Sequence, residues 1–211
     1  DEIPTPLTLD AYQRRYPRRH AVAVASTRAF LALHRGVLPR ARALLDAALG
    51  DPGGVRQRLF ERSERPGAHA LRALLAAAGG EAGLLDRDAA AVLEAEALVP
   101  QEALARVALA RAVAAERSGD RGALRAILSQ DGALLLDASR GRERVLARAL
   151  MQLVAAGDPS AYRAAAGEDG TDAGLAGWVA QFAPAAAPYV TQRAAALPFQ
   201  PATAHTSAAA P

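Results

Sequence analysis

Along most of this chain the apolar positions fall three and four residues apart, the spacing that lines one face of an α-helix. No valine-, threonine- or aromatic-rich run alternates as a strand would. The clearest stripe is Leu146, Leu150, Leu153 and Val154, with Arg144 and Arg148 off it, which predicts a buried leucine face and solvated arginines. Glycine and proline cut the periodicity into segments. Residues 1–7 hold two prolines and are expected to form an extended arm. Thr8 then caps a short helix that Pro17 stops, because the residue before proline resists the helical basin. A helix is predicted from Ala21 to His34, a turn at Gly36, and a helix through Leu49 closed by Gly50-Asp51-Pro52. Val55 to Arg62 reads as a short polar helix broken by Arg65-Pro66-Gly67, and His69 to Ala78 as a helix ended by Gly79-Gly80. Arg87 to Leu98 follows, and Pro100 opens a helix from Gln101 to Arg117. That helix is apolar nearly all round apart from Arg106 and Arg111, which places it at the centre of the packing.

One stretch recurs. Val107 to Gly132 returns as Val145 to Gly170, aligning Gly119-Asp120 with Gly157-Asp158, Ala123 with Ala161, Arg125-Ala126 with Arg163-Ala164, and Asp131-Gly132 with Asp169-Gly170. In a chain rich in alanine and arginine, the Gly-Asp and Asp-Gly punctuation carries the match. Each copy reads as a long helix, a Gly-Asp turn, a shorter helix and a second turn, the unit of a stacked helical-hairpin array. The shorter helices bring Leu124, Ile127 and Leu128 in the first copy but Tyr162, Ala165 and Ala166 in the second. Losing bulk there marks a terminal unit or a place where something else packs.

The hairpin between Ala21 and Pro52 resembles a tetratricopeptide repeat in its second helix. It has Gly36 at the turn, Ala41 five positions on, Ala48-Leu49 later, and Pro52 at the close. The large aromatic and glycine of that repeat are missing from the first helix, Pro52 falls one position early, and in the two later copies the turn-to-alanine spacing is short by one. The resemblance implies a short TPR-like α-solenoid that binds protein or peptide along a concave face. The expected fold class is all-α: stacked helical hairpins with an extended N-terminal arm and an irregular C-terminal tail. The expected domains are an arm with a short helix at 1–19, a helical-repeat domain at 20–196, and a proline-, alanine- and threonine-rich tail at 197–211.

Composition sharpens this picture in places. A chain of 211 residues suffices for one domain with a real core, and its excess of alanine with only 4% aromatics favours helices that approach closely. All the basic side chains are arginine, which reads first as the codon bias of a GC-rich bacterial genome. Net charge is +3 but uneven: Arg14, Arg15, Arg18 and Arg19 make the start basic, while Asp86, Asp88, Glu94 and Glu96 make the middle acidic. So small a surplus argues against a nucleic-acid partner. The lack of cysteine excludes disulfides, thiolate metal sites and thiol nucleophiles. The start at Asp1 suits the processed end of an exported, periplasmic protein slightly better than a cytoplasmic one. From Ala173 to Gln192 no charged residue occurs, and this run holds Trp178, Phe182 and Tyr189. It is long enough to touch or cross a bilayer, yet Gln181, Pro184 and Pro188 argue that it packs back onto the array instead.

Candidate chemistry is sparse. His20, His34, His69 and His205 lack the spacing of metal ligands, so no cofactor or metal is expected. Asp86 and Asp88, like Glu94 and Glu96, stand two apart and share no helix face, which fits caps and solvated surface. GEDGTDAG, from Gly167 to Gly174, has the acids and glycines of a calcium loop without its alternating donors or closing glutamate, and reads as a turn. The most suggestive run is AYQRRYPRRH, where Tyr12 and Tyr16 interleave with Arg14, Arg15, Arg18 and Arg19.

The expected function is a non-enzymatic protein-protein interaction module, an accessory or scaffold subunit of a larger, membrane-associated assembly. Its partner-binding anchors are Tyr12, Arg14, Arg15, Tyr16, Arg18 and Arg19 in the arm, with Trp178, Phe182 and Tyr189 in the aromatic run, since both residue types concentrate where interfaces are strongest. The alternatives are a carrier or enzyme with an apolar inter-helix pocket for a lipid-like ligand, and a nucleic-acid binder working through the arm.

Overall fold

A computed structural model describes residues 21–50, 62–95, 99–156 and 173–190, and among these the protein is all-α, with no strand. The helices are α1 (Ala21–His34), α2 (Leu38–Gly50), α3 (Arg65–Gly79), α4 (Ala82–Leu93), α5 (Gln101–Arg117), α6 (Arg121–Ala138), α7 (Gly141–Ala156) and α8 (Ala173–Phe182). A 3-10 helix, Pro184–Tyr189, follows α8.

Three of the connections use one device. At Gly36, Gly80 and Gly119 the backbone enters the left-handed region, with φ of 77°, 73° and 74°, where only glycine is free of a Cβ penalty. Each glycine N–H then reaches back to the carbonyl three residues before it, and the next N–H to the carbonyl five before it. At Gly119 these are Glu116 O at 3.0 Å and, from Asp120, Ala115 O at 2.9 Å. Asp120 immediately starts the next helix, its Oδ1 accepting from the Ala123 N–H at 2.8 Å. The Gly-Asp punctuation is therefore a helix stop and a helix start in two residues.

Consecutive helices pack as antiparallel neighbours, α1 on α2, α3 on α4 and α5 on α6, while α3 and α5 pack on each other at the centre. Alanine makes this possible. From Ala73 to Ala78 every residue of α3 is buried, and α5 buries Ala105, Ala108, Ala110 and Ala112 beside Leu109 and Val113, so the two backbones approach closely. The central position expected for Gln101–Arg117 is observed. In α7, Leu146 and Leu150 are fully buried and Leu153 nearly so.

The last described segment closes the bundle. From α8, Trp178 and Phe182 turn inward with ring centroids 4.6 Å apart, and the Trp178 Nε1–H donates to Leu33 O of α1 at 2.7 Å. Arg117 Nη1 donates to Phe182 O at 3.3 Å, and the Ala185 N–H donates to Glu116 Oε1 at 2.6 Å. The uncharged run thus folds back on the array, and among the described residues no helix is long and apolar enough to cross a membrane.

Several boundaries differ from expectation. Helix α3 begins at Arg65, because Pro66 sits in the first turn, where a missing N–H costs no helical bond. Helix α4 runs over Ala82–Leu93, earlier than the Arg87–Leu98 of the sequence reading. Asp131-Gly132 is no turn: α6 runs through it to Ala138, with Gly132 buried opposite Met151. Arg144 and Arg148 are half-buried and not solvated, and Arg144 Nε donates to Ser139 O at 3.0 Å. The predicted arm, the Val55 helix, the second copy from Gly157 to Gly170 and the tail lie outside the described residues.

Candidate functional site

The charged groups that enter the interior gather in two places. The first joins α2, α3 and α4. His69 and Arg72 stand three apart on α3, so they share a face, and both reach Asp88 on α4. Arg72 donates from Nε to Asp88 Oδ2 at 2.7 Å and from Nη2 to Oδ1 at 2.8 Å, while His69 Nδ1 lies 2.8 Å from Oδ1. Asp88 is fully buried. Burial pushes its carboxyl upward, but hydrogen bonds from Arg72 and then His69, with their charges, outweigh that and leave it below the ordinary carboxylate value. The network continues outward: Arg72 Nη1 donates to Asp46 at 3.2 Å, Asp46 accepts from Arg42 Nε at 2.8 Å, and Arg42 grips Glu81 with both terminal nitrogens. A His–Asp pair is the orienting half of many acid-base sites. Here the carboxylate is neutralised by a two-pronged guanidinium, which makes it a clamp across helices first.

The second gathering lies where α1, α5, α7 and α8 meet. Glu143 of α7, 2% exposed, accepts from Arg106 Nε of α5 at 2.8 Å. Burial raises the Glu143 carboxyl above its ordinary value and Arg106 only partly opposes this, the reverse of the balance at Asp88. The Arg106 guanidinium lies over the Phe30 ring at 5.4 Å, and that of Arg142 over Trp178 at 5.9 Å. His34 stands between them, its ring centroid 4.1 Å from that of Phe30 and 6.2 Å from that of Trp178. Burial, then the charges of Arg142 and Arg106, hold its pKa below that of an ordinary histidine. Among the described residues no group of three or more histidine or carboxylate side chains is placed to hold a metal ion.

Of the predicted partner-binding residues, Tyr12, Arg14, Arg15, Tyr16, Arg18 and Arg19 lie outside the described residues. Trp178, Phe182 and Tyr189 are brought together, but in the core: they are 2%, 0% and 0% exposed, so they present no aromatic surface to a partner in this structure. Sequence reasoning missed the Asp88 clamp, since the partner of His69 comes from the next helix, 19 residues on, and no spacing along one helix links them. The available signal was His69 and Arg72 at helical spacing opposite a helix carrying two aspartates.

A third feature faces solvent. Arg111 on α5 and Arg121 and Arg125 in the first turns of α6 are exposed and form no ion pair with another described residue, and Arg121 and Arg125 share a face of α6. The nearest acids in sequence are otherwise engaged, Glu116 by the Ala185 N–H and Asp120 by the Ala123 N–H. Compared with known proteins, the chain matches no family model, no curated protein and no solved structure.

Proposed function

We propose that this chain is a non-enzymatic interaction module, a TPR-like array of helical hairpins that serves as an accessory or scaffold subunit by binding an acidic surface of another protein. The observation that carries this reading is a set of exposed arginines on α5 and α6 without ion-pair partners among the described residues. Arg111, Arg121 and Arg125 stand in solvent, while Glu116 and Asp120 accept from backbone N–H groups and make no ion pair with them. Interior acids, by contrast, are matched by arginines across helices. Unpaired surface arginine suits a partner that supplies carboxylates, because its planar fork binds them in two-pronged fashion. The hairpin of α1 and α2, with Gly36 left-handed at its turn, supports the likeness to tetratricopeptide repeats. In sequence, Arg14, Arg15, Arg18 and Arg19 add further positive charge to the chain.

The test is recovery of the tagged full chain from its native source after crosslinking. A protein partner should co-purify with the wild type, nuclease treatment should leave recovery unchanged, and the Arg121→Glu/Arg125→Glu pair should lower it without shifting the melting temperature. Arg15→Glu should act the same way. Consistent recovery as a lone monomer would overturn the reading.

A further inference from the structure

Helix α1 ends on His34, whose ring is partly buried beside two guanidiniums, and burial and those charges both favour its neutral form. Its Nε2 is buried with no hydrogen-bond partner among the described residues. A methyl-sized group on Gly141 would lie 3.3 Å from His34 Cε1, so the first turn of α7 abuts the ring directly. The charged groups around it are Arg106 of α5 and Arg142 and Glu143 of α7. The apposed part of α8 contributes Trp178 and Gln181, neither of them charged, and Arg35, the residue that follows α1, is exposed. Next to His34 in the chain is Leu33, whose carbonyl holds the Trp178 indole and so ties the last described helix to the first.

We propose that His34 is an acid-operated latch: neutral, it seals the junction of α1, α5, α7 and α8; protonated, it cannot be held there, and the Trp178 end of α8 is released from α1.

The chemistry is local. A neutral imidazole leaves only a bare lone pair at the buried Nε2, whereas a proton there creates a charged donor with no acceptor, the costlier of the two. Two guanidiniums already occupy the cluster. Arg106 already lies over the Phe30 ring as a competing cation, and the carboxylate within the cluster, Glu143, is bound to Arg106 as well. In keeping with this geometry, the His34 pKa is depressed by burial first and by the two arginines after it. A depressed folded-state pKa means that the neutral ring's contribution is fully present above the ordinary histidine value, about 6.5, and is lost as pH falls through the folded value. Glu143 acts oppositely on global stability, because its raised pKa makes protonation relieve a buried charge. That same protonation frees Arg106 to repel an imidazolium, so the latch must be read at the junction and not from melting temperature.

Trp178 is the chain's single tryptophan and therefore a built-in reporter. On the full chain, its emission should shift to the red and weaken as pH is lowered from about 8 to about 5, with a midpoint below about 6.5. The change should vanish in His34→Gln and persist in His69→Gln. Unchanged emission across that range, or the same transition in His34→Gln, overturns the proposal. If His34→Gln does not fold, the wild-type histidine Cε1–H resonances decide. His34 must titrate below the ordinary range together with a displacement of the Trp178 indole N–H signal, and a His34 that titrates at or above that range overturns the latch.

Discussion

Replacing Asp88 with alanine is the most demanding test of the packing described above. The change removes three short contacts at once, two from Arg72 and one to His69, and leaves the Arg72 guanidinium, whose side chain is 13% exposed, without its principal counter-charge. Removing one partner of a buried ion pair costs about 3–5 kcal/mol, far more than the net worth of the pair, because the other charge stays behind. Arg72 keeps Asp46 at 3.2 Å, and that aspartate is half exposed, so the expected loss sits near the lower end, about 3 kcal/mol. Against a total stability of about 5–15 kcal/mol for an ordinary domain, that is a large fraction, and urea unfolding followed by far-ultraviolet circular dichroism resolves it easily. The companion variant Arg72→Met/Asp88→Leu should recover most of the loss, since two apolar side chains of similar volume leave no orphaned charge. The pH dependence has a definite sign. The Asp88 pKa is depressed, so its contribution is present above the ordinary carboxylate range and disappears as pH falls through the folded value, and wild type and Asp88→Ala should converge only in strong acid. A change of less than about 0.5 kcal/mol on Asp88→Ala, the range of ordinary surface substitutions, would refute the clamp.

Two further expectations concern the core and the glycines. Leu150→Ala should cost about 2–5 kcal/mol by the same urea assay, because Leu150 is fully buried in the main core, and an unaltered midpoint would mean the α7 stripe does not pack as described. Substitution by alanine should have opposite signs at two glycines. Gly132→Ala, inside α6, should raise stability by about 0.5–1 kcal/mol, since its new methyl meets the flexible Met151 Cε at an ordinary 3.5 Å. Gly119→Ala should lower it by about 1–2 kcal/mol, because φ there is 74° and relief is possible only by distorting the turn.

Much of the fold was legible in the chain, for reasons that individual elements make plain. Ala21–His34 and Gln101–Arg117 were read with their observed ends, since each is an unbroken apolar-periodic run between unambiguous punctuation. The failures share a cause, which is that punctuation has more than one meaning. Pro66 was taken as a break, yet proline is also at home in a first helical turn. The Asp131-Gly132 dipeptide mirrors a later one and so reads as a turn, but its backbone is helical and Gly132 packs against Met151. The ionic sites were hidden for a different reason. Asp88 is 16 residues from Arg72 and 19 from His69, and Glu143 is 37 from Arg106, so these pairs exist only once helices are placed side by side. Burial of Trp178, Phe182 and Tyr189 follows the same logic: an uncharged aromatic run looks alike whether it meets a partner or the chain's own interior.

The indole-to-carbonyl link between Trp178 and Leu33 spans 145 positions of chain. During synthesis, α1 therefore emerges long before Trp178 exists, and although α2 and α3 cover much of it, the Leu33 carbonyl waits without its indole donor until Trp178 has left the ribosome. So distant a closure is slow to find and leaves intermediates prone to sticking. A protein built from fast-forming local hairpins would thus acquire its native state only at the last step, and a chain cut short before Trp178 would be expected to aggregate instead of settling into a smaller version of the same bundle.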